Sequence, residues 1–149
     1  TRVMSLRDGT KKMSKSDVSD ASRINLTDTA EEISNKIKKA KTDPYPLPDT
    51  VEELKDRPEA HNLMSIYSSL SDQTLEKALI EFSGKGFSYF KPRLIDLAIE
   101  TLSPISREMR SLLKYRNEID KILKNGEQKA KEIAEPVLKD VKKLVGFVN

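Results

Sequence analysis

Apolar residues recur every three or four positions along most of this chain, and at every second position only near its start. The first spacing belongs to amphipathic helices and the second to half-buried strands. Arg2-Val3-Met4-Ser5-Leu6 alternates, Asp8-Gly9 supplies a tight turn, and Ser22-Arg23-Ile24-Asn25-Leu26 alternates again. Residues 1–28 are therefore expected to hold a two- or three-stranded β remnant. The polar, basic stretch between the strands shows no burial pattern and reads as a loop.

From Thr29 the pattern is helical. Thr29 and Glu32 stand at capping-box spacing, ahead of a stripe of Ala30, Ile33, Ile37 and Ala40. Glu31 and Glu32 are explained by that helix start. Pro44, Pro46 and Pro48 make the next segment a stiff connector. Pro58 suits the first turn of a second helix, with Leu63, Ile66, Tyr67 and Leu70 inward. Ser71 is the expected N-cap of a third, over Leu75, Ala78, Leu79 and Phe82, which Gly84 and Gly86 end. A long helix is expected from about Ser88, carrying Leu94, Ile95, Leu97, Ala98 and Leu102, with a kink or restart at Pro104.

Asn125-Gly126 reads as a C-cap, so the last helix is expected from about Glu127 to Leu144, bent at Pro136 and closed by Gly146. Phe147 and Val148 are expected to tuck back onto the core. Phe82, Phe87, Tyr89 and Phe90 read as a packing cluster, and Tyr67 as core. The fold class is thus mainly α: a helical bundle over residues 29–149 with a small β remnant at residues 1–28.

Composition narrows the function. The chain has no Cys and one His, which excludes disulfides and thiolate metal sites and leaves His61 without a catalytic constellation. No metal site is expected. The net charge of +3 permits a polyanionic partner. No run of about 18 apolar residues occurs, and no secretory leader is visible. Thr1 stands where an initiator Met is absent, so the chain reads as an internal cut of a longer protein.

Lys12-Met13-Ser14-Lys15-Ser16 carries the chemistry. Two ammonium groups flank a hydroxyl, with a second hydroxyl and free backbone N–H groups nearby, in a loop able to close late. Such a loop suits an anion whose charge grows in a transition state. The sequence KMSKS is the second signature of the class I aminoacyl-tRNA synthetases. With Arg2-Val3-Met4-Ser5-Leu6, Ile24-Asn25-Leu26-Thr27-Asp28, Ile37-Lys38-Lys39-Ala40-Lys41-Thr42-Asp43 and Arg57-Pro58-Glu59-Ala60-His61-Asn62-Leu63, it resembles their tryptophanyl branch. The likeness covers essentially the whole chain and is most specific in residues 2–70.

The resemblance implies that Lys12, Ser14 and Lys15 hold the phosphates of ATP, with Lys12 and Lys15 as the catalytic pair. It places Ser16 in the same ATP-binding set, Met13 against the nucleotide, and the backbone of Val3 on the adenine edge. It implies residues 1–28 as the tail of a Rossmann-like catalytic domain and residues 29–149 as a helical tRNA-binding domain of the anticodon-binding type. The implied reaction is tryptophan activation by ATP, with Mg2+ in the full-length enzyme, followed by transfer to tRNA(Trp). A cytoplasmic homodimer is implied for that enzyme. The HIGH-type motif is absent, so this piece is expected to be inactive alone. Proline is expected after KMSKSD, and Val18 stands there, which loosens the loop's exit.

Arg107, Arg110, Lys114 and Arg116 cluster on the later helices beside Tyr115. Without the resemblance they read as a solvated face; with it they are expected to contact tRNA, weakly specified by residue. Two other readings stand beside this one: a tyrosyl ligase, which shares the loop, and a stand-alone helical RNA-binding module, which has no use for it. Residues 57–63 argue for the tryptophanyl branch.

Overall fold

The structure is a computed structural model, and it describes residues 2–147. The chain divides into two compact units, Thr1–Arg107 and Glu108–Asn149. Five α-helices occur among the described residues: α1 (Ala30–Lys38), α2 (Pro58–Leu70), α3 (Leu75–Phe82), α4 (Phe87–Lys114) and α5 (Arg116–Leu144). The mainly helical class is as expected.

The caps explain where the helices begin. The Glu32 N–H donates to Thr29 Oγ1 at 3.2 Å, and the Thr29 N–H donates to Glu32 Oε2 at 2.7 Å. Both halves of the capping box are therefore made. Pro58 opens α2. The arginine before it forks onto Asp43, at 3.0 Å from Nε and 2.6 Å from Nη2, which fastens the proline-rich connector. The cap of α3 is Thr74, not Ser71. Ser71 is still bonded into α2 through its N–H to the Tyr67 carbonyl, and the chain leaves that helix at Asp72, which takes a φ of 54°. Only at Thr74 is the backbone extended, so only there does a hydroxyl meet an orphan N–H, that of Lys77.

The core of the first unit is built from α1, α2, α3 and the first turns of α4. Ile33, Leu63, Met64, Phe82, Phe90 and Leu94 are fully buried. Tyr67 and Phe90 each pack on Phe82 with ring centroids 4.9 Å and 4.9 Å away, edge to face. The aromatic residues around the two glycines thus form the expected packing cluster, with Tyr89 at its exposed rim.

The two- or three-stranded remnant does not form. Among the described residues the only pairing is one antiparallel bridge, Met4 to Lys12. The reason lies in where the backbone groups go. The Leu6 N–H donates to the Ser22 carbonyl at 2.9 Å, and the Leu6 carbonyl accepts from the Lys41 N–H at 2.8 Å. Met4 is paired on its other edge by a side chain: Asn62 of α2 accepts the Met4 N–H and donates to the Met4 carbonyl, each at 2.9 Å. Leu6 is itself buried in the core. The Asp8-Gly9 turn rests on the start of α2, where a Cβ on Gly9 would lie 2.5 Å from the Pro58 backbone. A two-stranded ribbon has little stability of its own. Here the segment is held by helices instead.

One glycine of the long helices also departs from expectation. α4 runs through Pro92 and Pro104 without a restart, and α5 runs through Gly126 and Pro136. A glycine ends a helix by taking a positive φ, and Gly126 does not. Gly146 does, at φ 78°. Its N–H donates to the Lys143 carbonyl and that of Phe147 to Lys142, the Schellman pattern that closes α5. Phe147 is exposed rather than tucked against a core, and Val148 lies outside the described residues.

Candidate functional site

The loop following the Met4–Lys12 bridge is held at both ends. At its entrance the Met13 N–H donates to the Val3 carbonyl at 3.0 Å. Met13 itself is half-buried and packs on the core, which seats the loop between two exposed lysines. Within the loop the Ser14 and Ser16 hydroxyls are 2.9 Å apart, and the Ser16 N–H points at Ser14 Oγ. The Asp17 N–H closes a turn onto the Ser14 carbonyl.

Lys12 and Lys15 are both exposed, and neither has an ion-pair partner among the described residues. Nearby carboxylates are already engaged. Asp8 accepts from the hydroxyl and N–H of Thr10 and pairs with Lys11 at 3.1 Å. Those bonds hold its carboxyl down to about 2. Asp17 accepts the Ser19 N–H at 2.8 Å. The loop therefore presents two uncompensated ammonium groups and two hydroxyls on one exposed turn, a donor set with the chemistry to hold a polyphosphate.

At the exit, beside fully exposed Val18, side chains do the bracing. Arg23 Nη1 donates to the Asp17 carbonyl at 3.0 Å and reaches the Ser14 carbonyl at 3.5 Å. Its Nη2 pairs with Asp20 at 2.9 Å, and its Nε donates to Asn25 at 3.2 Å. Asp20 also pairs with Lys36 of α1 at 2.6 Å, and Lys36 pairs with Asp28 at 2.6 Å. Lys36 and Asp28 side chains are only 9% and 7% exposed. Burial works against the Lys36 charge, but the bonds to Asp20 and Asp28 outweigh it and raise its pKa. The Lys36 bond, with Asn25, lowers that of Asp20.

Val3, Lys12, Met13, Ser14, Lys15 and Ser16 are thus brought together, as their neighbourhood in sequence requires. The second predicted set is placed less tightly. Arg107 is exposed at the end of the first unit. In the second unit Lys114, Tyr115 and Arg116 are exposed where α4 gives way to α5, while Arg110 is half-buried and partnered. His61 is exposed on α2, and no group of three or more His, Cys, Asp or Glu suited to a metal occurs among the described residues.

Asn62, Arg23, Asp20 and Lys36 were not singled out by sequence reasoning. One signal was available for Lys36. It stands beside Ile37 and three residues after Ile33 on the apolar stripe of α1, where a lysine needs a buried carboxylate partner.

Residues 1–103 match the family described as tRNA synthetases class I (W and Y). The chain belongs to the class I tRNA synthetases of the W and Y group. Within this class I group it is similar to a tryptophan–tRNA ligase of Caulobacter vibrioides, 57% identical over 98% of the chain, and to one of Rhizobium meliloti, 56% identical over 99%. It spans 42% of the length of each. Among solved class I synthetases, tryptophanyl-tRNA synthetase from Mycoplasma pneumoniae superposes with a TM-score of 0.75 at 26% identity, over 99% of this chain and 46% of that one. The Campylobacter jejuni enzyme complexed with ADP and tryptophan gives 0.71 at 23% identity, over 98% and 44%, and bears on the fold alone. No described helix is long and apolar enough to cross a membrane.

Proposed function

We propose that this chain supplies the ATP-phosphate loop and the tRNA-binding helices of a tryptophan–tRNA ligase. The observation that carries the reading is the pair Lys12 and Lys15, exposed and without an ion-pair partner among the described residues, on a loop fixed at both ends. In adenylate formation a carboxylate oxygen of tryptophan bonds to the α-phosphorus of ATP, and the bond from that phosphorus to pyrophosphate breaks. Negative charge grows on the departing oxygens. Lys12 and Lys15 stabilise it, and Ser14 and Ser16 donate hydrogen bonds to the same anion. Their contribution is largest as the charge develops, so it appears in the rate rather than in substrate binding. The donor set of two ammonium groups and two hydroxyls fits phosphate.

In this reading residues 1–28 belong to the catalytic domain and residues 29–149 form the helical tRNA-binding domain. Transfer to tRNA(Trp) uses the basic residues Arg107, Arg110, Lys114 and Arg116, with Tyr115 stacking on an unpaired base. The enzyme works in the cytoplasm as a homodimer. Tryptophan is favoured over tyrosine as substrate because relatives at 52–57% identity carry the tryptophan name.

The test is Lys15→Ala in the complete ligase, followed by tryptophan-dependent exchange of pyrophosphate into ATP. The expected result is a fall in kcat of roughly 100- to 1,000-fold, with little change in the KM for tryptophan. Unchanged exchange would remove the loop from the mechanism, and exchange supported by tyrosine alone would replace the substrate.

A further inference from the structure

The loop that carries Lys12 and Lys15 has no hydrophobic anchor at its exit, and Val18 makes no contribution there. What fixes the exit is a chain of charges. Lys36 projects from α1 into a nearly dry site and meets Asp28 and Asp20, both at 2.6 Å. Asp20 meets Arg23, and Arg23 reaches back to the carbonyls of Ser14 and Asp17. The four ionised groups sum to zero. At its inner end Lys36 and Asp28 are 9% and 7% exposed, so loss of Lys36 leaves the Asp28 carboxylate shielded without that cation, the costly case for an ion pair. At its outer end Asp20 is more exposed and joins Lys36 to Arg23.

Its geometry bears directly on Lys15. Ser14 and Asp17 are the two ends of the turn that contains Lys15 and Ser16, and one guanidinium holds the carbonyls of both ends. A planar fork can grip two carbonyls and a carboxylate together; an ammonium group cannot cover that span. The other end of the assembly, Lys36, is set in α1, and α1 is itself fixed by its capping box. The turn is thereby referenced to a helix rather than to the bridge that precedes it.

Resting on the function proposed above, we propose that Arg23 is a positioning residue for adenylate formation, acting through Lys15. Asp20 and Lys36 hold Arg23 in the orientation that sets the turn. Loss of the guanidinium fork leaves the loop's charges present but out of place. A misplacement near 1 Å costs on the order of 100-fold in rate.

The test is a cycle of Arg23→Gln and Lys15→Ala in the complete ligase, read by pyrophosphate exchange. Arg23→Gln is expected to lower kcat by roughly 10- to 100-fold, with the KM for tryptophan within about twofold. In the Lys15→Ala background the same change is expected to cost less than about twofold, because it acts through that lysine. Arg23→Lys keeps the charge facing Asp20 without the fork and is expected to share the loss; full activity in it would overturn the proposal. An equal loss in both backgrounds would show a general structural effect and also overturn it. No loss from Arg23→Gln, with exchange collapsed by Lys15→Ala, would sink the positioning role and leave the loop's phosphate role standing. If Lys15→Ala is silent, both fall. A readout free of catalysis is trypsin cleavage after Lys15 in the complete ligase, expected to be several-fold faster in Arg23→Gln than in the parent, and an unchanged rate counts against the role.

Discussion

In the unit Thr1–Arg107 the apolar stripes are buried, and Ile33, Leu63, Phe82, Phe90 and Leu94 have essentially no exposed surface. In the unit Glu108–Asn149, α5 carries a stripe of equal regularity, with Ile122, Ile133, Val137 and Val141 at helical spacing, and no α5 residue is buried. The two regions share one pattern and differ in what it does. Periodicity decides which face of a helix is apolar. It does not decide whether another element covers that face, because covering needs a partner of matching shape at the right distance. A stripe without a cover contributes little to stability, and most of what holds a helix in a protein is burial of its apolar face.

The sharpest break in this comparison is a matched pair of truncations. Phe90→Ala, in the aromatic cluster, is expected to cost about 3–5 kcal/mol in urea or thermal unfolding. Val137→Ala, on the α5 stripe, is expected to stay within about 0.5 kcal/mol. Equal losses at the two positions would mean that the stripe of α5 is covered in solution, and the contrast would disappear.

The N-terminal segment is a smaller test of the same lesson. It belongs to the first unit through side-chain partners rather than through a sheet. Asn62→Ala removes the amide that pairs with the Met4 backbone and leaves a half-buried N–H and carbonyl without that partner. A loss of roughly 1–3 kcal/mol follows, measurable by denaturant unfolding. A change under about 0.3 kcal/mol would mean that the bridge alone holds the segment.

The smallest effect sharpens the picture of the charge clasp. Asp20 has its pKa lowered in the folded chain, by Lys36 first and Asn25 second. A carboxylate held down in this way adds stability above its ordinary pKa of 3.8 and loses it as pH falls through the lower folded value. The difference in unfolding midpoint between the parent and Asp20→Asn should therefore be full at neutral pH. It should shrink only below about pH 4. A difference that is flat down to pH 2 would place the contribution of Asp20 in shape and not in charge.

Much of this could be read before any coordinates. The helices α1 to α3 and the start of α4 lie where spacing put them, and the capping box at Thr29 and Glu32 is made as its residues demand. The five residues from Lys12 to Ser16 were legible because their chemistry is local: ammonium and hydroxyl groups adjacent in sequence are adjacent in space. Ser71 and Gly126 were misread for a common reason. Each is a residue that can end or start a helix, and whether it does depends on the φ it adopts, which neighbouring packing selects.

By itself, then, the sequence determined the helical class, the apolar faces, the caps with both partners nearby, and the exposed loop of lysines and serines. Those features depend on groups within a few residues of one another. Only the tertiary structure decided that Asn62 stands in for a strand, that Gly9 rests on the backbone of Pro58, and that Lys36 reaches Asp20 to brace the loop through Arg23. Each of those joins residues far apart in the chain, and a polar group's partner at long range is set by how the apolar core brings the backbone together, which no local spacing encodes.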